Sequence, residues 1–423
     1  MDDFNPRALL QDLFYTAVAA ADPMKVVPAC LPQIPRGRTI VVGAGKASAR
    51  MALAFEQAWP GDMSGVVVTP YGHAEPCERI RVLEAAHPIP DGTGLQASQA
   101  LLEAVAGLTS DDLVVALISG GGSALLPAPP PGVTLADEQA LNAQLLKSGL
   151  SISEMNLVRR QVSLIKGGRL AQAAGPAHVV TLVISDVPGD NPAHVASGPT
   201  VSGGGTAIEA LAVAQRAGLD LPPAIMEHLQ ESAQVVEIQA VRQHDTVRVI
   251  ASAALSLQAA ARHCREHYGI ACEILSDAVE GEAREIGTDH ALRARQLQAA
   301  RGAGPLVLLS GGETTVTAPG NIGRGGRNTE FAMSFALGLH GSTGIHALVA
   351  DTDGVDGNSA AAGAYADSDS MARLHGAAID PLEALAAHDT GSALAKVGDL
   401  FVTGHTRTNV NDFRAIYLEP RGA

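Results

Sequence analysis

Two of the five lysines in the chain stand beside glycines, Lys46 in Gly43-Ala-Gly-Lys-Ala-Ser48 and Lys166 in Lys166-Gly-Gly-Arg169. A lysine among glycines after an apolar run is placed to meet an anion, because backbone N–H groups can approach a phosphate closely where no Cβ intervenes. Ser119-Gly120-Gly121-Gly122-Ser123 and Ser310-Gly311-Gly312-Glu313 repeat the glycine-rich turn. None is a Walker A loop: Lys46 is followed by alanine, and no glycine lies five positions before Gly45. As a dinucleotide fingerprint, Gly43-x-Gly45-x-x-Ser48 lacks the third glycine and a clear acidic strand end about twenty residues on.

Phosphoryl transfer needs cations, carboxylates for a divalent metal, and a group that orients or deprotonates the acceptor hydroxyl. Lys46, Arg159, Lys166, Arg324 and Arg327 are the candidate cations, with a solvated helix face the equal alternative for Arg159. Asp186, Asp190, Glu313, Asp351, Asp353 and Asp356 are the candidate acids, nearly all just past strand ends, where aspartate also serves as a helix N-cap. Asp351-x-Asp353-Gly-x-Asp356-Gly starts like a calcium loop but lacks the EF-hand spacing and closing glutamate. His73, His87, His194 and His405 lie beside loops and read as hydrogen-bonded structural residues. Ser123 is no hydrolase nucleophile, since G-x-S-x-G is absent around it.

These loops need strands behind them. Near-continuous apolar runs at Thr39 to Val42, Leu113 to Ile118, Val179 to Ile184 and Leu306 to Leu309 each run into a polar or glycine turn, as do Ile345 to Ala350 and Leu400 to Val402. Such runs belong to parallel sheets covered on both faces, with ligands outside the carboxyl ends of the strands. An amphipathic opening helix carries Leu9, Leu10, Leu13 and Phe14, and Ser151-Ile-Ser-Glu154 opens another with a capping box. Thr246 to Ala251 restarts a strand after a polar stretch. The expectation is therefore an α/β protein of two domains with mostly parallel, helix-covered, Rossmann-like sheets, residues 1–240 and 241–423, the boundary lying near residue 240.

Composition agrees. At 423 residues, 46% hydrophobic and 17% charged, the chain is long for one domain. Forty-five glycines and 3% aromatics suit close helix-on-sheet packing. A formal charge of -15 argues against nucleic-acid or anionic-membrane binding. The four cysteines include no C-x-x-C pair and read as reduced core thiols, with no zinc pattern around His263, Cys264 and His267. The start lacks signal-peptide character and no uncharged apolar stretch is of membrane-span length, so a cytoplasmic location is expected.

Read together and in order, these strings resemble the type-2 glycerate kinase family, whose C-terminal half is the MOFRL domain. The matching stretches are Gly43 to Ser48, His87-Pro-Ile-Pro-Asp-Gly92, Ser119 to Ala124, Lys166 to Arg169, Ser185-Asp-Val-Pro-Gly-Asp190 and Ala196-Ser-Gly-Pro-Thr200. In the second half they are Ser310 to Thr315, Arg324-Gly-Gly-Arg-Asn328, Asp351 to Gly357 and Thr408-Asn-Val-Asn-Asp412. Thr329, His405, Arg407 and Val201 to Gly205 depart from the family pattern, which bears on substrate range more than on reaction type.

The resemblance implies ATP, Mg²⁺ and D-glycerate, with 2-phosphoglycerate as product, at a site in the cleft between two α/β domains. It puts Lys46 on substrate or phosphate, an acid of the Asp186 to Asp190 loop near the reacting hydroxyl, and Arg327 on the charge of the transferring group. Nucleotide contacts are expected from Gly43, Gly45, Ser119, Gly120, Gly121, Gly122, Ser123, Lys166, Gly311, Gly312, Glu313, Arg324, Asn328, Asp353 and Asn409. The candidate metal ligands are Asp186, Asp190, Glu313 and Asp351. A homodimer is left open. The competing readings are a nicotinamide-dependent hydroxypyruvate reductase, a name that family members have carried, and a non-catalytic sugar-phosphate-binding module.

Overall fold

The structure, a computed structural model, describes residues 4–234, 242, 244–300, 304–318, 323–339 and 341–420. The chain divides into two compact units, one of residues 23–250 and one of residues 1–22 with 251–423. The boundary expected near residue 240 lies outside the described residues, and the division falls ten residues later, at 250/251. The opening helix, Pro6–Ala20, groups with the C-terminal unit. Its apolar face, Leu9, Leu10, Leu13, Phe14 and Ala17, is fully buried in one cluster with Leu257, Ala261, Phe401 and Phe413.

The first unit holds a six-stranded sheet of β1 (Thr39–Ala44), β2 (Ser64–Pro70), β3 (Ile80–Ala85), β4 (Leu113–Ser119), β5 (His178–Ile184) and β6 (Thr246–Ala251), in the order β3-β2-β1-β4-β5-β6. The pairings of β1 with β2 and β4, of β2 with β3, and of β4 with β5 are all parallel. Every residue of β1 and β4 is buried, as two-sided helix cover requires. This order reverses direction between β1 and β4, so the loops leaving those strands open a crevice at the sheet's carboxyl edge. The elements β2 and β3 follow loops without a strong apolar signal, and β3 is buried only at its two ends, Ile80 and Ala85.

Asp112 ties the entry of β4 to that of β1. Its carboxylate accepts from Arg38 N at 2.6 Å, Arg38 Nη2 at 3.1 Å and Thr109 N at 2.8 Å, and the arginine beside it holds its carboxyl well below the usual carboxylate range. A depressed folded-state pKa gives stability present above the unfolded value, roughly 3.9, and lost as pH falls below it. Asp112→Asn is therefore expected to destabilise the protein at pH 7, with the gap to wild type closing as urea melts are taken down from about pH 4.

The second unit holds β7 (Ala271–Glu282), β8 (Leu306–Thr315), β9 (Ile345–Asp351), β10 (Gly363–Asp367), β11 (Leu400–Phe401) and β12 (Asp412–Leu418), in the order β11-β10-β9-β12-β8-β7. The pair β7–β8 is parallel, while β12 runs antiparallel to both β8 and β9, and β10 antiparallel to both β9 and β11. It follows that β7, β8, β9 and β11 share one direction, and that the carboxyl ends of β8 and β9 meet the start of β12. No apolar periodicity announces β12: Asp412-Phe-Arg-Ala-Ile-Tyr-Leu418 buries an aspartate and an arginine in a central strand. Among the described residues, no helix is long and apolar enough to cross a membrane.

Candidate active site

In the first unit the two glycine loops lock together at the switch point. Lys46 N donates to Gly120 O at 2.8 Å, Ala47 N to Ser119 Oγ at 3.0 Å, and Ser48 Oγ to Leu117 O at 2.9 Å. Gly45 has φ +137°, and a Cβ there would lie 2.2 Å from Ser119 Oγ. A Cβ on Gly120 would lie 1.6 Å from Asp186 Oδ2, and one on Gly122 2.6 Å from Ala196 Cβ. The glycines are thus required by loop-on-loop packing, and the same packing sets the Asp186 carboxylate against the β4 loop. A Cβ on Gly121 would meet both His87 Nε2 at 3.0 Å and Lys46 Cγ at 3.3 Å, which brings His87 and the lysine stem to one place. Burial and then Lys46 push the His87 imidazole down to about 4, so it is neutral at pH 7. Asp190 lies in the turn Pro188–Asp190 with φ +53°, its N–H on Val187 O at 3.1 Å.

In the second unit, strand register does the gathering. Asp412 pairs with Gly312 on one side and Asp351 on the other, and the helix Arg327–Gly338 starts beside them. The Arg327 guanidinium binds three carboxylates: Nη1 to Glu313 Oε1 at 2.7 Å, Nη2 to Asp351 Oδ2 at 2.7 Å, and Nε to Asp412 Oδ1 at 2.8 Å. Asp412 also accepts from Asn328 Nδ2 at 2.9 Å and Arg414 Nη2 at 2.6 Å. Burial pushes Asp412 up, but Arg327 and Arg414 overcome it and hold the carboxyl below its usual value. For Asp351, burial first and then Asp353 push the carboxyl up, with Arg327 pulling the other way. Arg327 itself is held above its ordinary value, the three carboxylates outweighing its burial.

Asp356 takes the backbone N–H groups of Asn328 and Thr329, each at 2.9 Å, so the start of this helix is capped from within the protein. That arrangement realises the N-cap alternative for Asp356, and burial raises its carboxyl to about 6. Asn409 Oδ1 accepts from Asn411 N at 2.9 Å, and Asp353 Oδ1 from Val355 N at 2.9 Å.

Residues 9–230 match a family model described only as a domain of unknown function, and residues 306–412 match the MOFRL family. A protein of Agrobacterium vitis, provisionally named a hydroxypyruvate reductase, is 50% identical over 99% of this chain and 95% of its own. The D-glycerate 2-kinase of Thermotoga maritima is 38% identical, covering 97% of this chain and 98% of its own. The crystal structure of a glycerate kinase from the same organism superimposes with a TM-score of 0.88 at 36% identity, covering 98% of this chain and 99% of that one. The chain belongs to the type-2 glycerate kinase family.

Not every residue expected to bind nucleotide stands open to do so. Lys166 is buried, its Nζ 2.8 Å from Glu138 Oε1, and that carboxylate is buried with it. Arg159 Nε donates to Asn142 Oδ1 at 2.8 Å and Nη1 to Asn156 Oδ1 at 3.2 Å, so it lies inside the first unit and not on a solvated face. Arg324 is exposed, with its backbone N–H on Asp389 Oδ1 at 2.8 Å. Burial, followed by Arg160, lowers the His194 pKa. All four cysteines are free thiols, of which Cys264 is buried and the others half-buried. Among the described residues no group of three or more His, Cys, Asp or Glu side chains could hold a metal ion, and Glu313 and Asp351 are both engaged by Arg327.

Asp412 closes the stretch Thr408 to Asp412 but is not among the expected site residues, and Arg414 lies beyond every motif. The two charges stand two apart in a run otherwise fit for a buried strand, which places both on one face of it. Ser119 is a residue whose part is clear from geometry: Ser119→Ala leaves the buried Ala47 N–H without its acceptor. We expect a loss of roughly 1–3 kcal/mol in urea melts together with reduced turnover, since the unsatisfied amide belongs to the Lys46 loop.

Proposed function

We propose that this chain is a D-glycerate 2-kinase, transferring the ATP γ-phosphoryl group to the C2 hydroxyl to give 2-phosphoglycerate and ADP. The observation that carries the reading is the pairing of a lysine and a carboxylate at the switch point of the parallel sheet: Lys46 and Asp186 stand against the same loop, Gly120 to Gly121. Near-complete coverage of a relative named D-glycerate 2-kinase supports the substrate.

In this account Lys46 holds the negative charge of the substrate carboxylate or of a phosphate. Asp186 receives the proton of the C2 hydroxyl; its contact with the β4 loop favours it over Asp190 as the base. Neutral His87 keeps a second positive charge away from Lys46, preserving the lysine's place as the local cation. Arg327 uses three of its five N–H groups on carboxylates and keeps two for charge on the transferring group.

Mg²⁺ in kinases is held by one or two carboxylates plus the nucleotide phosphates, not by a protein cage. With Glu313 and Asp351 committed to Arg327 and Asp186 receiving the proton, Asp190 is the expected carboxylate that fits this arrangement. The ion supplies charge neutralisation of the phosphoryl oxygens.

The reductase reading is tested beside the kinase reading: D-glycerate-dependent ADP release is measured in one cuvette and NADH oxidation with hydroxypyruvate in another. ADP release without NADH oxidation is the expected result; the reverse pattern sinks the kinase assignment.

A further inference from the structure

Ser123 stands at the carboxyl end of β4, half-buried, with its hydroxyl 2.8 Å from that of Ser197. Ser197 is fully buried, in a turn where Ala196, Ser197 and Gly198 all have φ between +52° and +62°. Non-glycine residues hold such backbone only where the surroundings impose it.

The direction of the hydrogen bonds here is fixed by an arginine. Arg159 can only donate, so the Asn156 side-chain atom 3.2 Å from its Nη1 is the amide oxygen, and no flipped amide fits. That oxygen also accepts the Ser197 hydroxyl at 3.1 Å, while Asn156 Nδ2 faces His194 O at 3.4 Å. Ser197 has one proton, and it goes to Asn156. At the contact with Ser197, Ser123 must therefore be the donor. Asn156 and Ser197 are 1% and 0% exposed, so water does not offer either of them another partner.

We infer that Ser123 meets its ligand as a hydrogen-bond acceptor only, and that the group it takes is a ligand hydroxyl, not a phosphate oxygen. This reverses the expectation that the whole turn from Ser119 to Ser123 cradles phosphate. Its proton spent inward, Ser123 presents lone pairs, which attract an O–H and repel the unprotonated oxygens of phosphate or carboxylate. The inference rests on the kinase reading for the source of that hydroxyl: the hydroxy acid or the ribose of the nucleotide. Asn156, Ser197 and Arg159 are positioning residues in this account, acting through Ser123.

The test is calorimetric titration of the full chain and of Ser123→Ala with D-glycerate, adenosine and inorganic pyrophosphate, with Ser123→Thr as the variant that keeps the hydroxyl. Ser123→Ala is expected to weaken D-glycerate binding about tenfold, to leave pyrophosphate binding unchanged, and to be rescued by Ser123→Thr. Ser197→Ala, which keeps the Ser123 oxygen but releases its proton, gives the same pattern with a smaller loss. A loss confined to adenosine assigns the hydroxyl to the ribose and still supports acceptor-only Ser123. A loss of pyrophosphate affinity overturns the inference. So does an unchanged affinity for both hydroxylated probes, or a wild-type protein that binds pyrophosphate and neither of them. Failure of the kinase reading is distinguishable: wild type that binds D-glycerate as described but releases no ADP removes that reading alone.

Discussion

Lys46→Ala is expected to lower kcat with D-glycerate by about 10²–10³-fold while leaving the thermal melt within a degree or so of wild type, the loss typical of removing one preorganised charge-stabilising donor. The fold should tolerate the change because what the loop uses from this residue is its backbone: Lys46 N bonds Gly120 O, and the neighbouring Ala47 N bonds Ser119 Oγ. The side chain adds a positive charge beside a neutral imidazole and near a carboxylate, in a chain with four other lysines, one of which is sealed in a buried ion pair. Steady-state kinetics beside circular dichroism checks this. A folded variant that keeps its turnover would remove Lys46 from the reaction.

Arg327→Ala should fail differently, losing stability as well as activity. The guanidinium neutralises Asp351 and Asp412, whose side chains are 7% and 0% exposed, and removing one partner of a buried ion pair typically costs about 3–5 kcal/mol. Arg414 remains on Asp412 and tempers the loss, while Asp351 keeps burial and the charges of Asp353 and Asp412, which raise its pKa, against the lowering contact of the Asp353 N–H at 3.0 Å. The sign with pH follows. Carboxyls with raised folded-state pKa values destabilise the native state as pH rises through those values, so the deficit of Arg327→Ala should be largest near pH 8 and shrink toward pH 5. Arg327→Lys should recover little of either loss, because a point ammonium cannot meet three carboxylates that the planar fork meets at 2.7, 2.7 and 2.8 Å. Denaturant melts at several pH values, with activity alongside, check both variants.

The parts of this molecule legible in the sequence are those that local physics dictates. The strands β1, β4 and β5 are buried on both faces and so read as apolar runs, and the capping box at Ser151 and Glu154 forms as its residues require. The strand β7 was not legible because much of it is exposed and polar, and β12 because its charges are neutralised by partners distant in the chain. The first helix reads as an amphipathic element, but nothing local says which unit its apolar face will join.

The candidate site divides the same way. Glycine loops mark Lys46, Ser119 and Asp186 because tight strand-to-helix turns are local. Arg327, Glu313 and Asp351 each stand out beside a turn, yet that Arg327 gathers Glu313, Asp351 and Asp412 together depends on strand register across more than sixty residues. Lys166 carries the same glycine signature as Lys46 and ends in a buried pair with Glu138, since composition around a lysine does not say which way its side chain turns.

The most direct test of the central claim is to incubate the purified protein with D-glycerate, ATP and Mg²⁺ and to identify the phosphorylated product by NMR. The account predicts 2-phosphoglycerate formed in step with ADP. Formation of 3-phosphoglycerate would contradict the assignment of the C2 hydroxyl, and the absence of any phosphoglycerate would contradict the kinase itself.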